Sequence, residues 1–227
     1  VLAGTVPFLN AQNPPRPVDT DLIAAMGRAR LALQFKGETA DECRAWQTRF
    51  RNRLDQLLGD SSPPRKWRIT VEDKSEQPDH IRHQLLLEAP GLPSVPVYQL
   101  IPKGLKPGQR VPGVLCTHGH GEHGYEPIVG RTDLPGVAND VERYNYDYGR
   151  QFVRRGYAVV APCLIPFGRR VNRKAYGGKD PCAVSFVRMQ ALGQLPITAN
   201  LRDQRWALSL LAGHPQVDAN RLGAVGL

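Results

Sequence analysis

Three uninterrupted apolar segments constrain this chain more than any other feature. They are Val111–Thr117 (VPGVLCT), Tyr157–Leu164 (YAVVAPCL) and Leu222–Leu227 (LGAVGL). A strand with water on one face alternates apolar and polar residues. A strand covered on both faces has no reason to alternate, so continuous runs of this length predict buried strands of a parallel sheet. Parallel neighbours need long crossovers. The residues between the segments supply them as helical patterns, at about 140–155, 182–192 and from Thr198 or Asn200 to Gly213. Right-handed crossovers then make the three segments neighbours in one sheet. The fold class is therefore α/β.

The preceding residues differ. Candidate strands at 67–71, 81–87 and 95–101 are separated by turn-forming residues and read as an antiparallel group. The first sixty residues read as two helices. Asp19 or Thr20 caps the first, Leu22, Ile23, Met26 and Leu33 share one face, and Gly37 ends it. The second opens on a capping box, Thr39 with Glu42 three residues on. It carries an apolar stripe, Cys43, Trp46, Phe50, Leu54, Leu57 and Leu58, and stops at Gly59. The expected organisation is a helical extension over 1–62 and an α/β domain over 63–227.

Composition excludes some classes of function. No apolar stretch nears the ~20 residues that span a bilayer. The formal net charge is +9, but the arginines are scattered from Arg16 to Arg221 and no nucleic-acid motif accompanies them. No nucleic-acid partner is expected. The four cysteines, Cys43, Cys116, Cys163 and Cys182, form no CxxC pair and read as separate buried thiols. The start, VLAGTVPFLNAQ, is compatible with the tail of a signal segment, which favours export over a cytoplasmic location.

Chemistry concentrates after the first apolar strand, in Thr117-His118-Gly119-His120-Gly121-Glu122-His123-Gly124, which holds three of the six histidines. In open parallel sheets, sites gather at the carboxyl ends of strands. Two readings compete. In the first, the glycines let the backbone turn sharply and aim peptide N–H groups at a developing oxyanion. His120 then contributes its N–H, Gly119 and Gly121 shape the loop, and His118 orients it. In the second, His118, His120 and His123 ligate zinc. That string is similar to the His-x-His-x-Asp-His signature of metallo-β-lactamase-like hydrolases, with Glu122 in place of Asp.

The surrounding segments favour the first reading. PQVDANRLGAVGL resembles the approach to the nucleophile elbow of α/β-hydrolases, where a strand ends in Gly-x-Ser-x-Gly. YGRQFVRRGYAVVAPCLIPFGRR resembles the helix and following strand of that family, with a Phe167-Gly168-x-Arg170 loop. LGQLPITANLRDQRWALSLLAGHPQVD resembles the helix before the elbow. The similarity covers about residues 80–227 and lies nearest the acetyl-xylan-esterase and dienelactone-hydrolase-like branch. Cys163 departs from it, standing where relatives often carry Asp.

The resemblance implies an α/β-hydrolase sheet lacking its last strands and a serine carboxylic-ester hydrolase acting on small-molecule or carbohydrate esters. It implies no cofactor and places the nucleophilic serine directly after Leu227, with its acid and histidine partners further on. The 227 residues would then hold an oxyanion loop without a triad. A zinc hydrolase, or an inactive binding-only chain, remains the alternative. Arg169 and Arg170 read equally as surface charge or loop anchors, and Asp140, Glu142 and Asp147 as a solvated helix face.

Overall fold

A computed structural model describes residues 17–226. The apolar start (1–12) and Leu227 lie outside the described residues. Two compact units divide the chain, Val1–Leu54 and Asp55–Leu227.

In the N-terminal unit, α1 spans Val18–Gly27 and α2 spans Ala40–Leu58, crossing the division. α1 is shorter than expected. It begins after Pro17 without a side-chain cap, so Asp19 and Asp21 lie in the first turn, where they favour the positive helix end. It stops at Gly27 and never reaches Leu33 or Gly37: glycine is a poor helix former, and the Arg28 N–H closes the last turn on the Ala24 carbonyl. The freed segment serves Trp46 instead. Trp46 donates its indole N–H to the Leu33 carbonyl (2.6 Å) and packs against Phe35 and Phe50. The capping box forms as read. Thr39 N–H donates to Glu42 Oε2 (2.9 Å), and Glu42 N–H donates to Thr39 Oγ1 (3.2 Å).

The second unit is built on one six-stranded sheet. Its strands are β1 (Arg68–Glu76), β2 (His80–Glu88), β3 (Val95–Pro102), β4 (Val111–Thr117), β5 (Ala158–Pro162) and β6 (Val217–Gly226). The order is β1-β2-β3-β5-β4-β6. β1, β2, β3 and β5 pair antiparallel in succession, while β4 lies between β5 and β6 and is parallel to both. The three apolar segments are therefore neighbours in one sheet. β4 and β5 are buried as their patterning predicts, whereas residues 222–226 of β6 are partly or fully exposed. β1 runs five residues past its expected end at Val71. Its charged, exposed residues blunt an outer edge.

Two apolar layers sandwich the sheet. On one face Val97, Val111, Leu115 and Val160 meet Trp206, Leu210 and Leu211 of α6 (Pro196–Ala212). On the other, Leu100, Val114, Cys116 and Val159 meet Ile128 and Val153. Val153 belongs to α4 (Tyr148–Arg154). The single helix expected at 140–155 is in fact two, α3 (Val137–Tyr144) and α4. Asn145, at φ 51°, breaks it. Asparagine tolerates this left-handed conformation better than most residues. The remaining helix, α5 (Pro181–Ala191), is capped by Asp180, whose carboxylate accepts from Cys182 and Ala183 N–H. Among the described residues no helix is long and apolar enough to cross a membrane.

Candidate active site

The loop 118–124 leaves the carboxyl end of β4 between the ends of β5 and β6. Its first residue is a fixed post. His118 is 3% exposed. Its Nε2 accepts the Leu164 N–H (2.9 Å) and its Nδ1 faces the Gly119 carbonyl (2.8 Å). A carbonyl can only accept, so Nδ1 carries the proton and Nε2 is bare. Burial pushes this imidazole down to about 4, keeping it neutral.

The break at Asn145 brings two tyrosines beneath the loop. Tyr148 donates its hydroxyl to the Thr117 carbonyl (2.5 Å), and the Gly119 N–H donates to Tyr146 Oη (2.7 Å). The two rings stack with centroids 5.9 Å apart. Gly119 is thus committed. Among the described residues no hydrogen bond engages the next peptide N–H, that of His120. At its far end the loop meets another backbone. A Cβ on Gly124, at φ +55°, would stand 3.1 Å from the Gly168 nitrogen, so glycine is needed there.

The loop after β5 packs against the histidine loop as a wall beside it. Phe167 presents its ring edgewise to both His118 and His120, at 5.3 and 5.1 Å. Arg170 anchors this wall to α6. Its Nη1 donates to Asp203 Oδ2 (2.6 Å) and to the Cys163 carbonyl (3.1 Å). Arg169 binds Glu72 through its two terminal guanidinium nitrogens. Both arginines are therefore loop anchors. Cys163 Sγ sits 3.2 Å from the Phe167 carbonyl, and burial pushes its thiol up to about 11. Cys116, in β4, is pushed up to about 12. Both are packing thiols, whereas Cys43 and Cys182 are only half-buried; all four are free.

The three loop histidines point to different partners. His123 Nδ1 bonds Asp140 Oδ2 (2.8 Å), so Asp140 belongs to the site's wall and not to a solvated helix face. His120 is exposed, and its Nε2 lies 3.3 Å from Cys182 Sγ. Among the described residues His118, His120 and His123 do not bring their ligand atoms together as a metal set. The one group that converges is His120, Asp180 and Cys182. The sequence reading missed Asp180 and Cys182 because 62 residues separate Cys182 from His120. It missed Tyr146 and Tyr148 because an unbroken helix would have turned them elsewhere.

A cleft of about 480 Å³ opens over the loop, lined by Gly119, His120, Gly121, Glu122, His123, Asp140, Tyr144 and Tyr146. A hollow of about 840 Å³ in the N-terminal unit, around Phe35 and Trp46, gathers no histidine or cysteine and offers no comparable chemistry. The two serines of the parallel half are otherwise engaged. Ser185 Oγ faces Tyr176 Oη (3.4 Å), and Ser209 Oγ donates to the Arg205 carbonyl.

No protein-family description matches this chain. No curated protein matches it in sequence. Solved structures do. A putative acetyl xylan esterase from Bacteroides fragilis superposes with a TM-score of 0.73 over 97% of this chain, at 16% identity. Acetyl xylan esterase 1 from Thermoanaerobacterium reaches a TM-score of 0.49 over 77% of the chain, at 15% identity. The chain spans 56% and 54% of the lengths of those two proteins. The Bacteroides likeness is one of fold. It supports a mixed α/β architecture: a central sheet with helices on its faces.

Proposed function

We propose that this chain is part of a serine carboxylic-ester hydrolase of the α/β-hydrolase superfamily, in the acetyl-xylan-esterase and dienelactone-hydrolase-like branch. One observation carries the reading. Gly226, at the carboxyl end of β6, pairs with Thr117, the last residue before the histidine loop. A Cβ on Gly226 would stand 3.2 Å from the Thr117 carbonyl, so the two backbones run in close contact. A nucleophile on the turn that follows β6 would rise beside the His120 peptide and the cleft.

The chemistry then needs little from this chain beyond geometry. A serine Oγ attacks the ester carbonyl as its proton passes to a histidine base. The carbonyl oxygen becomes an oxyanion, and the His120 N–H donates to it. The alcohol leaves with the histidine's proton, and water releases the acid from the acyl-serine. Serine, base and orienting acid are assigned to residues after β6. Substrates are small-molecule or carbohydrate esters.

The test is active-site labelling of the full-length protein with a fluorophosphonate, located by mass spectrometry. The adduct should fall on a serine directly after Leu227, and p-nitrophenyl acetate hydrolysis should survive EDTA. Hydrolysis without an adduct, abolished by EDTA and restored by zinc, would overturn the reading.

A further inference from the structure

We propose that His120 Nε2, Cys182 Sγ and the Asp180 carboxylate form a binding site for one borderline-soft divalent cation of the zinc class. The ligand atoms lie within 4.8 Å of one another. The sulfur–nitrogen separation is 3.3 Å. Two ligands of a tetrahedral zinc, at ~2.3 Å for sulfur and ~2.0 Å for nitrogen, stand about 3.5 Å apart. The pair already has nearly the spacing a bound ion would impose.

The other candidates for such a role are occupied. His118 uses both ring nitrogens on backbone groups, and His123 is held by Asp140. Cys116 and Cys163 are fully buried in the packed layers. His120 and Cys182 are both accessible, and each comes from a backbone segment fixed by its own bonds. Tyr146 holds the loop at Gly119, and Asp180 holds the first turn of α5.

The donor set selects the ion. A thiolate and an imidazole suit zinc and cobalt, whereas magnesium and calcium want oxygen cages. Asp180 already accepts the Cys182 and Ala183 N–H groups at the positive end of α5. That environment weakens a carboxylate for hard cations and leaves the sulfur and nitrogen to dominate. On binding, the Cys182 S–H proton passes to solvent and the metal–sulfur bond replaces the Cys182–His120 contact. Thiolate and carboxylate together offset the dication's charge. Three protein ligands leave a fourth position for water. The ion would fasten the loop after β4 to the start of α5.

The experiment uses the full-length protein with Co²⁺ and Zn²⁺ alone. Co²⁺ should bind one to one with a thiolate-to-cobalt charge-transfer band, and Zn²⁺ should displace it. Zn²⁺ should also protect Cys182 from iodoacetamide while leaving Cys43 reactive. Cys182→Ser should abolish the band. His120→Asn and Asp180→Asn should each weaken binding by about tenfold or more, since even outer-shell partners are worth ~10–100-fold. Asn at 180 keeps the helix cap, and unchanged circular dichroism will check that the variants fold. No cobalt binding, or binding unaffected by Cys182→Ser and His120→Asn, would overturn the proposal. So would equal alkylation of Cys182 with and without Zn²⁺.

Discussion

Leu164 donates its peptide N–H to Nε2 of His118 across 2.9 Å, joining the residue after β4 to the segment leaving β5. The other ring nitrogen goes to the Gly119 carbonyl, so one neutral imidazole ties the loop after β4 to the segment leaving β5. His118→Ala would leave a buried N–H without a partner and a void against Phe167. An orphaned buried donor costs ~1–3 kcal/mol, and the void adds to it. Urea unfolding should show a loss of about 2–4 kcal/mol. A loss under about 1 kcal/mol would show that the post is dispensable.

The same burial makes stability depend on pH. In the folded state the His118 imidazole is pushed down to about 4, against 6.5 for the free side chain. Between those values the unfolded chain holds a proton that the native state refuses. Stability from this group is therefore complete above pH 6.5 and lost as pH falls toward 4, by up to about 3 kcal/mol. Burial lowers His80, His83 and His214 as well, so the raw curve mixes several groups. Comparison with His118→Gln isolates one. The stability gap between wild type and variant should narrow from pH 7 to pH 4, and a constant gap would contradict the assignment.

Periodicity made the sheet legible because burial on both faces leaves a direct mark on strands β4 and β5; β6 carries the same apolar run although only Val217 of it is buried. It could not reveal the left-handed turn at Asn145, which depends on one residue's backbone freedom within a pattern that otherwise reads as continuous helix. That one turn decides where Tyr146 and Tyr148 go. The histidine loop was legible as a density of glycine and histidine after a strand. Its partners were not, since Cys182, Tyr146 and Leu164 reach it only through the crossovers. Asp203 shows the limit most clearly. Within its helix it reads as one more charged residue, yet it is fully buried, and only the folded loop after β5 brings Arg170 to it.

That ion pair should be among the costliest to break. Arg170 and Asp203 side chains are 6% and 0% exposed, and Arg202 also binds the carboxylate, at 2.9 Å. Arg170→Met leaves a buried carboxylate with one cation and frees the Cys163 carbonyl. Removing one partner of a buried pair costs about 3–5 kcal/mol. Arg170→Met combined with Asp203→Leu removes both charges, and Arg202 can turn to solvent. The double variant should lose less than the sum of the singles, with a coupling of about 1–3 kcal/mol in chemical denaturation. Strict additivity would mean that the two side chains stabilise the loop independently.

His120 separates a backbone role from a side-chain role. If its peptide N–H receives the oxyanion, His120→Ala keeps the donor and should change kcat for p-nitrophenyl acetate by less than about tenfold. Losing a single oxyanion donor costs ~10²–10³-fold in kcat. Proline has no N–H. His120→Pro should therefore suffer that larger loss, provided the fold survives, which unchanged circular dichroism and thermal unfolding will establish. Folded His120→Pro protein should still react with the fluorophosphonate, only more slowly, because the substitution would leave the proposed serine and its base untouched. The ratio between the two variants is the discriminating quantity. Equal, severe losses in both would move the function to the imidazole. Near-wild-type kcat in folded His120→Pro protein would remove His120 from the oxyanion site altogether.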